Sequence, residues 1–211
     1  MSNQTVGNQT MSNRRAATRD RLIAAATSVF ARRGVLGATV EEICDAAGFS
    51  RGAFYSNFET KDDLCVALLE AHTADYLAAA RTAVGSMKTD AGRSSAEAIE
   101  AAIGVFTETL GEDPEAVLAM MELRLYAARE PALREAMAEL DAHLTPVFSQ
   151  VIGQALGAHG LKLSMPGEDA IGLLHAVWEH ATLAQLIHPG GRAPNAEARL
   201  TTVLRAMVVP A

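Results

Sequence analysis

The sequence predicts an all-α protein of about nine helices. Apolar residues recur at helical spacing through most of the chain, and no segment shows the alternation of a convincing strand. Aromatic residues make up 5% of the chain, while Ala, Leu, Glu and Arg are plentiful, a balance that favours helix over strand. Gly, Pro and capping residues mark where the helices begin and end.

The first dozen residues are rich in Asn, Ser, Thr and Gln, so residues 1–13 are expected to form a disordered tail. Periodicity starts near Arg14. Leu22, Ile23, Ala26, Val29 and Phe30 share a face, and Gly34 is a natural stop. Thr39 opens a second helix, with Glu42 placed to complete a capping box. Val40, Ile43, Cys44 and Ala47 form its apolar side, and Gly48 ends it. Ser50 can cap a third helix, Arg51 to Phe58, with Phe54 and Phe58 inward. Thr60 and Asp63 start a fourth, roughly 61–83.

The remainder reads as longer helices. Residues 85–92 are a polar link. Ile99, Ile103, Phe106 and Leu110 form the next stripe. Asp113-Pro114 and Glu130-Pro131 are helix starts with proline at the first helical position. The stripe from Leu133 to Ile152 contains Pro146, which should kink or split it. Residues 157–167 read as loop. Residues 168–188 form a helix that is apolar nearly all round, broken by Pro189-Gly190-Gly191. The last helix runs from about Asn195 to Met207.

Charge is unevenly distributed. Residues 1–61 hold eight Lys/Arg and five Asp/Glu, whereas residues 62–211 hold ten and twenty, which together give the net −7. A basic head on an acidic body suggests that the head meets an anion. Two cysteines cannot make a disulfide framework or a four-cysteine zinc site. No apolar run approaches ~18 residues without a charge, and the N-terminus lacks a signal-peptide apolar stretch, so a cytoplasmic protein is expected. There is no phosphate-cradling P-loop and no Gly-x-Gly-x-x-Gly. His175 and Glu179 lie one turn apart, but two ligands do not make a metal site. No cofactor, metal or catalytic residue is expected.

The strongest feature is the helix–turn–helix between Thr39 and Phe58, a DNA-reading geometry. Gly48 allows the positive φ of the sharp turn. With Phe54 and Phe58 inward, Gly52, Ala53, Tyr55 and Ser56 lie on or near the opposite face. Gly52 and Ala53 are small enough to admit base edges. Arg51 can reach a guanine through two donors. Tyr55 suits phosphate or a thymine methyl. Thr39, Ser56, Asn57 and Lys61 are phosphate candidates, and Arg14 and Arg15 could form an arm along the backbone or minor groove. A plain helical hairpin would show the same Phe54 and Phe58.

Residues 16–76 resemble the DNA-binding domain of the TetR family of bacterial transcriptional regulators. The stretches TRDRLIAAATSVFARRG and ATVEEICDAAGFSRGAFYSNFETKDDL carry the resemblance. The family's pattern falls on Gly37, Thr39, Ile43, Ala47-Gly48, Ser50, Gly52, Tyr55, Phe58, Lys61 and Leu64. Cys44 replaces a usual Ala, Ser56 a common aromatic and Asn57 a common His. In relatives a cation near Glu41 can reach a base, which an acid would do poorly except toward cytosine.

The resemblance implies a helix-turn-helix DNA-binding domain at residues 14–60 and a helical ligand-binding and dimerisation domain at 61–211. It further implies a homodimer that binds a double-stranded, pseudo-palindromic operator, commonly as a repressor, and lets go when a small-molecule effector fills the body. The all-round apolar helix 168–188 and the last helix suit a two-fold four-helix seam, with Trp178, Leu183 and Leu204 as candidates for the seam or its support. Phe106, Met120, Met121, Leu123, Tyr126, His143, Phe148, His175 and Trp178 are candidate pocket residues for a lipophilic or aromatic effector. The rival reading is a helical enzyme or small-molecule-binding protein whose head does not bind specific DNA.

Overall fold

The computed structural model describes residues 3–86, 94–111, 113–188, 190 and 195–211. The expected link at 85–92 and break at 189–191 lie largely outside them. Among the described residues nine helices occur: α1 (Asn3–Gly37), α2 (Val40–Ala47), α3 (Arg51–Tyr55), α4 (Lys61–Ser86), α5 (Ser95–Leu110), α6 (Pro114–Ala127), α7 (Pro131–Gly157), α8 (Gly167–Ile187) and α9 (Ala196–Ala206). Two short strands, β1 (Leu161–Leu163) and β2 (Val208–Pro210), complete the chain.

Besides α3 ending at Tyr55 rather than Phe58, three details depart from the sequence reading. First, α1 reaches back to Asn3, into the stretch assigned to a disordered tail. Once a helix is nucleated, each added residue gains a hydrogen bond, yet burial along residues 13–37 begins only at Leu22. Second, β1 and β2 pair antiparallel, Leu161 opposite Pro210 and Leu163 opposite Val208, where loop and chain end were expected. Three residues are too few to display a period-two pattern. Third, α7 continues through Pro146 as one helix.

The chain forms two compact units. The first comprises residues Met1–Ala71 and Pro114–Ala138. Leu22, Phe30, Ile43, Phe54, Leu64 and Leu68 are fully buried in it. It also contains α6, which packs along α1 and buries Leu123. The Ser28 hydroxyl of α1 donates to the Glu115 carboxylate of α6, and Arg32 lies 3.9 Å from the same carboxylate. Gly34 adopts φ +69°, and a Cβ there would fall 2.8 Å from Glu122 Oε2. The positive φ is what requires glycine at that kink; the Glu122 carboxylate is the end of a flexible side chain and can move aside.

The second unit comprises His72–Asp113 and Glu139–Ala211. Phe106 and Phe148 meet edge to face at 5.1 Å among buried Ile103, Ile152, Leu174, Leu200 and Leu204. Helix α9 packs against both α5 and α8. On α8, Ala170, Ile171, Leu174, Trp178 and Ala181 are buried, while Leu173, Leu183 and Ile187 remain exposed. The all-round apolar character therefore divides into a side facing its own core and a side facing outward. Of the three residues expected at a subunit seam or supporting it, Trp178 and Leu204 are buried in the unit's own core and Leu183 is exposed.

Candidate nucleic-acid interface and effector cavity

The helix–turn–helix is held at every end. At the start of α2, the Glu42 N–H donates to Thr39 Oγ1 (3.2 Å) and the Thr39 N–H donates to Glu42 Oε2 (3.0 Å). That backbone bond is the main cause of a Glu42 pKa below the ordinary range, with Arg33 assisting. Gly48 closes α2 at φ 71° in the left-handed region. The Ser50 side chain accepts from the Ala53 N–H at 3.3 Å and caps α3. Thr60 and Asp63 exchange the same pair of bonds before α4, at 2.9 and 3.1 Å.

Basic side chains finish the helix ends. Arg21 donates to the Ala47 carbonyl at 2.7 Å, the last residue of α2. Arg15 donates to the Ser56 carbonyl at 2.8 Å, just after α3. A cation at a helix C-terminus satisfies orphan carbonyls and matches the dipole. Arg21 also lies over the Phe49 ring at 4.6 Å, and Arg19 over Phe58 at 4.7 Å. Lys61 Nζ donates to the carbonyls of Val35 and Ala38, at 2.7 and 3.0 Å. Much of the head's positive charge is thereby engaged in holding the motif.

This placement changes several expected roles. Arg15 is seated on the end of α3 rather than extended as an arm; Arg14 is exposed. Lys61 is half-buried and bound to backbone, not directed outward as a free phosphate ligand. Asn57 Nδ2 donates to the Ala53 carbonyl at 2.8 Å, and its Oδ1 is buried without a hydrogen-bond partner. The Asn57 amide thus closes the turn after α3. The Ser56 hydroxyl likewise donates to the Ala53 carbonyl, at 2.8 Å, though Ser56 is exposed. Thr39 is exposed with its hydroxyl engaged in the cap, and Ala53 is half-buried.

Arg51, Gly52 and Tyr55 remain as the outward face of α3, with Tyr55 49% exposed. A Cβ at Gly52 would meet only Ser50 Oγ, at an ordinary 3.7 Å. The fold does not need glycine there, so its smallness serves the outer surface. Arg51 Nη1 lies 2.7 Å from Glu41 Oε1 of α2. The Tyr55 hydrogen bond and the Glu41 carboxylate both raise the guanidinium pKa above its ordinary value. Sequence reasoning did not find the partners of Arg51, Arg15, Arg21 and Lys61. Their separations of 41 residues for Arg15–Ser56 and 26 for Arg21–Ala47 leave no local pattern.

The candidate effector residues divide between the units. Phe106, Phe148 and Trp178 are buried in the second, where His175 stacks on Trp178 at 5.9 Å and lies 3.9 Å from Glu179. His143 is exposed, its Nδ1 2.8 Å from the Glu139 carbonyl. Met120, Leu123 and Tyr126 are buried in the first unit, with Met121 half-buried. A cavity of ≈ 320 Å³ in the second unit is lined by Trp178 with Thr107, Thr182, Gln185, Asn195 and Glu197. Its polar lining was not anticipated. A wider, mainly apolar groove of ≈ 670 Å³ lies between α8 and α9, bordered by Leu173, Val177, His180, Thr202 and Val203.

The head cysteines are unsuited to thiolate chemistry. Burial pushes the Cys65 thiol up to about 12, and raises Cys44 as well. Among the described residues, no group of three or more His, Cys, Asp or Glu could hold a metal ion, and no helix is long and apolar enough to cross a membrane.

Comparison with known proteins agrees with this architecture. The chain is 43% identical over 65 residues to the HTH-type transcriptional regulator TtgR of Pseudomonas putida, a match covering 30% of this chain and 31% of that one. The chain thus spans less than a third of the length of that curated relative. A crystal structure of a transcriptional regulator from Rhodococcus sp. Rha1 superposes with TM-score 0.67 at 26% identity, covering 90% of this chain and 95% of that one. Reduced E. coli NemR shares the fold at TM-score 0.71 and 20% identity, covering 92% and 100%. Residues 22–68 match the family of bacterial regulatory proteins, tetR family, and residues 93–210 match a tetracyclin repressor-like C-terminal domain. With more than half of its length matched by the C-terminal domain alone, the chain belongs to the TetR family of bacterial regulatory proteins.

Proposed function

We propose that this protein is a ligand-responsive transcriptional repressor acting in the cytoplasm. It binds a pseudo-palindromic operator as a homodimer and is released by a small lipophilic or aromatic effector. The carrying observation is the outer face of α3, where Arg51, Gly52 and Tyr55 are exposed on a motif whose helix ends are satisfied internally. A short helix with one long bidentate donor, one residue without a side chain and one exposed phenol suits a major groove. Arg14, Thr39 and Ser56 are the exposed candidates for phosphate.

The outward apolar residues of α8, beside the groove shared with α9, support pairing with a second copy. Burying that face in a two-fold arrangement gives a closed assembly. The buried aromatics Phe106, Phe148 and Trp178 support an effector with apolar or aromatic character, to which the cavity bordering Trp178 also offers the polar side chains of Thr107, Thr182, Gln185 and Asn195. An effector that favours the released state by ~1–3 kcal/mol changes operator affinity several-fold to a hundredfold, and operator weakens effector binding equally.

The test is selection of bound fragments from random and genomic DNA with the full-length protein. Enrichment of a two-fold-related sequence is expected. Binding without sequence enrichment would favour a helical enzyme or small-molecule-binding protein over a regulator.

A further inference from the structure

Glu41 and Arg51 form a contact that the fold does not need. Both side chains are largely solvent-exposed, at 53% and 61%. An exposed ion pair adds little to stability. Yet 2.7 Å is the length of a close, charge-assisted hydrogen bond. Glu41 lies in the first turn of α2 and Arg51 is the first residue of α3, so the bond crosses the motif's turn. One turn along α3, the Tyr55 ring lies 5.9 Å from the Arg51 Cζ. The guanidinium is clasped between two helices on the face proposed to read DNA.

A free arginine loses much rotamer freedom when it engages a base edge, whereas one already clasped loses less. Its five N–H donors can serve a carboxylate and a guanine edge together. We propose that Glu41 is a specificity-determining positioning residue: it orients Arg51 so that the remaining donors meet O6 and N7 of a guanine at one position in each half-site. This rests on the reading of α3 as the recognition helix. The same carboxylate places a negative charge near the phosphates, so it opposes overall affinity while sharpening selectivity. The two effects separate in its variants.

The experiment compares full-length wild type, Glu41→Gln, Glu41→Asp, Arg51→Ala and the Arg51→Ala/Glu41→Gln double variant. Each is titrated by competition against the sequence selected by wild type and against operators carrying every base at each position. Melting temperatures verify that all five are folded. Arg51→Ala is expected to abolish preference at one pair per half-site. Glu41→Gln should lower the guanine preference at that pair by about 3–10-fold, a coupling typical of contacting residues. It should also tighten binding to random DNA and leave other positions unchanged. Glu41→Asp keeps the charge but shortens the reach, and should lose the same preference. In the Arg51→Ala background, Glu41→Gln should alter no preference.

A uniform affinity change with the guanine preference intact in Glu41→Gln would reduce Glu41 to simple repulsion and overturn the proposal. A preference shift that persists without Arg51 would overturn it too, by showing that Glu41 reads a base itself. In both cases the DNA-binding reading survives. If wild type selects no sequence, both fall.

Discussion

The phenol of Tyr126 in α6 donates a 2.9 Å hydrogen bond to Asp62 Oδ1 in the first turn of α4. The bond ties α6 into the helix–turn–helix unit, although 64 residues separate the partners. Burial first, then the Asp62 bond and charge, push the Tyr126 pKa well above its ordinary value. The folded state therefore favours the neutral phenol. This contribution to stability is complete below the unfolded pKa of about 10 and is lost as pH rises above it. Tyr126→Phe should cost about 0.5–1.5 kcal/mol at neutral pH. It should also unfold with a weaker alkaline dependence. Urea melts at pH 7 and above pH 10 test both; identical pH dependence in the two proteins would remove Tyr126 from that role.

Lys61 leads to a separable expectation. Its ammonium serves the Val35 and Ala38 carbonyls, which connect the end of α1 to the start of α2. Lys61→Met keeps the apolar stem and removes the donors. Leaving those carbonyls short of partners should cost about 1–3 kcal/mol by denaturant melt. Among folded molecules, the salt dependence of DNA binding should be unchanged. A slope reduced by about one would mean that the ammonium neutralises a phosphate instead.

The outward side of α8 gives the third expectation. Leu173 is 48% exposed and borders the groove with α9. Leu173→Glu should leave circular dichroism and melting of the isolated chain nearly unchanged, yet shift sedimentation at micromolar concentration to monomer. Operator affinity should fall at least about tenfold, because the second half-site no longer binds intramolecularly. Leu204→Ala acts differently: that side chain is fully buried, so about 2–5 kcal/mol of stability should be lost. A dimer that survives Leu173→Glu would place the seam elsewhere.

Local chemistry was legible in the sequence. Thr39 with Glu42, Gly48, Ser50, and Thr60 with Asp63 each announce a helix boundary through a bond spanning three or four residues, and each occurs. The inward faces of α2 and α3 followed from spacing, as Ile43 and Phe54 show. Partnership was not legible. Periodicity says which side of α6 is apolar, but not that it packs on α1. A count of basic residues does not reveal that Arg15 and Arg21 cap the ends of α3 and α2. Asn57 reads as a phosphate candidate in the sequence, and only the fold shows its amide bound to the Ala53 carbonyl. The strands escaped because each is three residues long and is fixed by its distant partner.

The remaining head arginines also bear on how the protein responds to its ionic surroundings. Arg33 lies 3.0 Å from Glu42, Arg32 3.9 Å from Glu115 and Arg19 3.9 Å from Glu70. A phosphate that recruits one of these side chains must take it from a carboxylate already standing in for the anion. Such an exchange leaves an unpaired carboxylate beside the duplex, so its net neutralisation is smaller than that by a bare arginine, which contributes about 0.9 to the logarithmic salt slope for each phosphate. If the head binds DNA as proposed, its affinity is expected to respond to ionic strength less steeply than its eight cations would suggest.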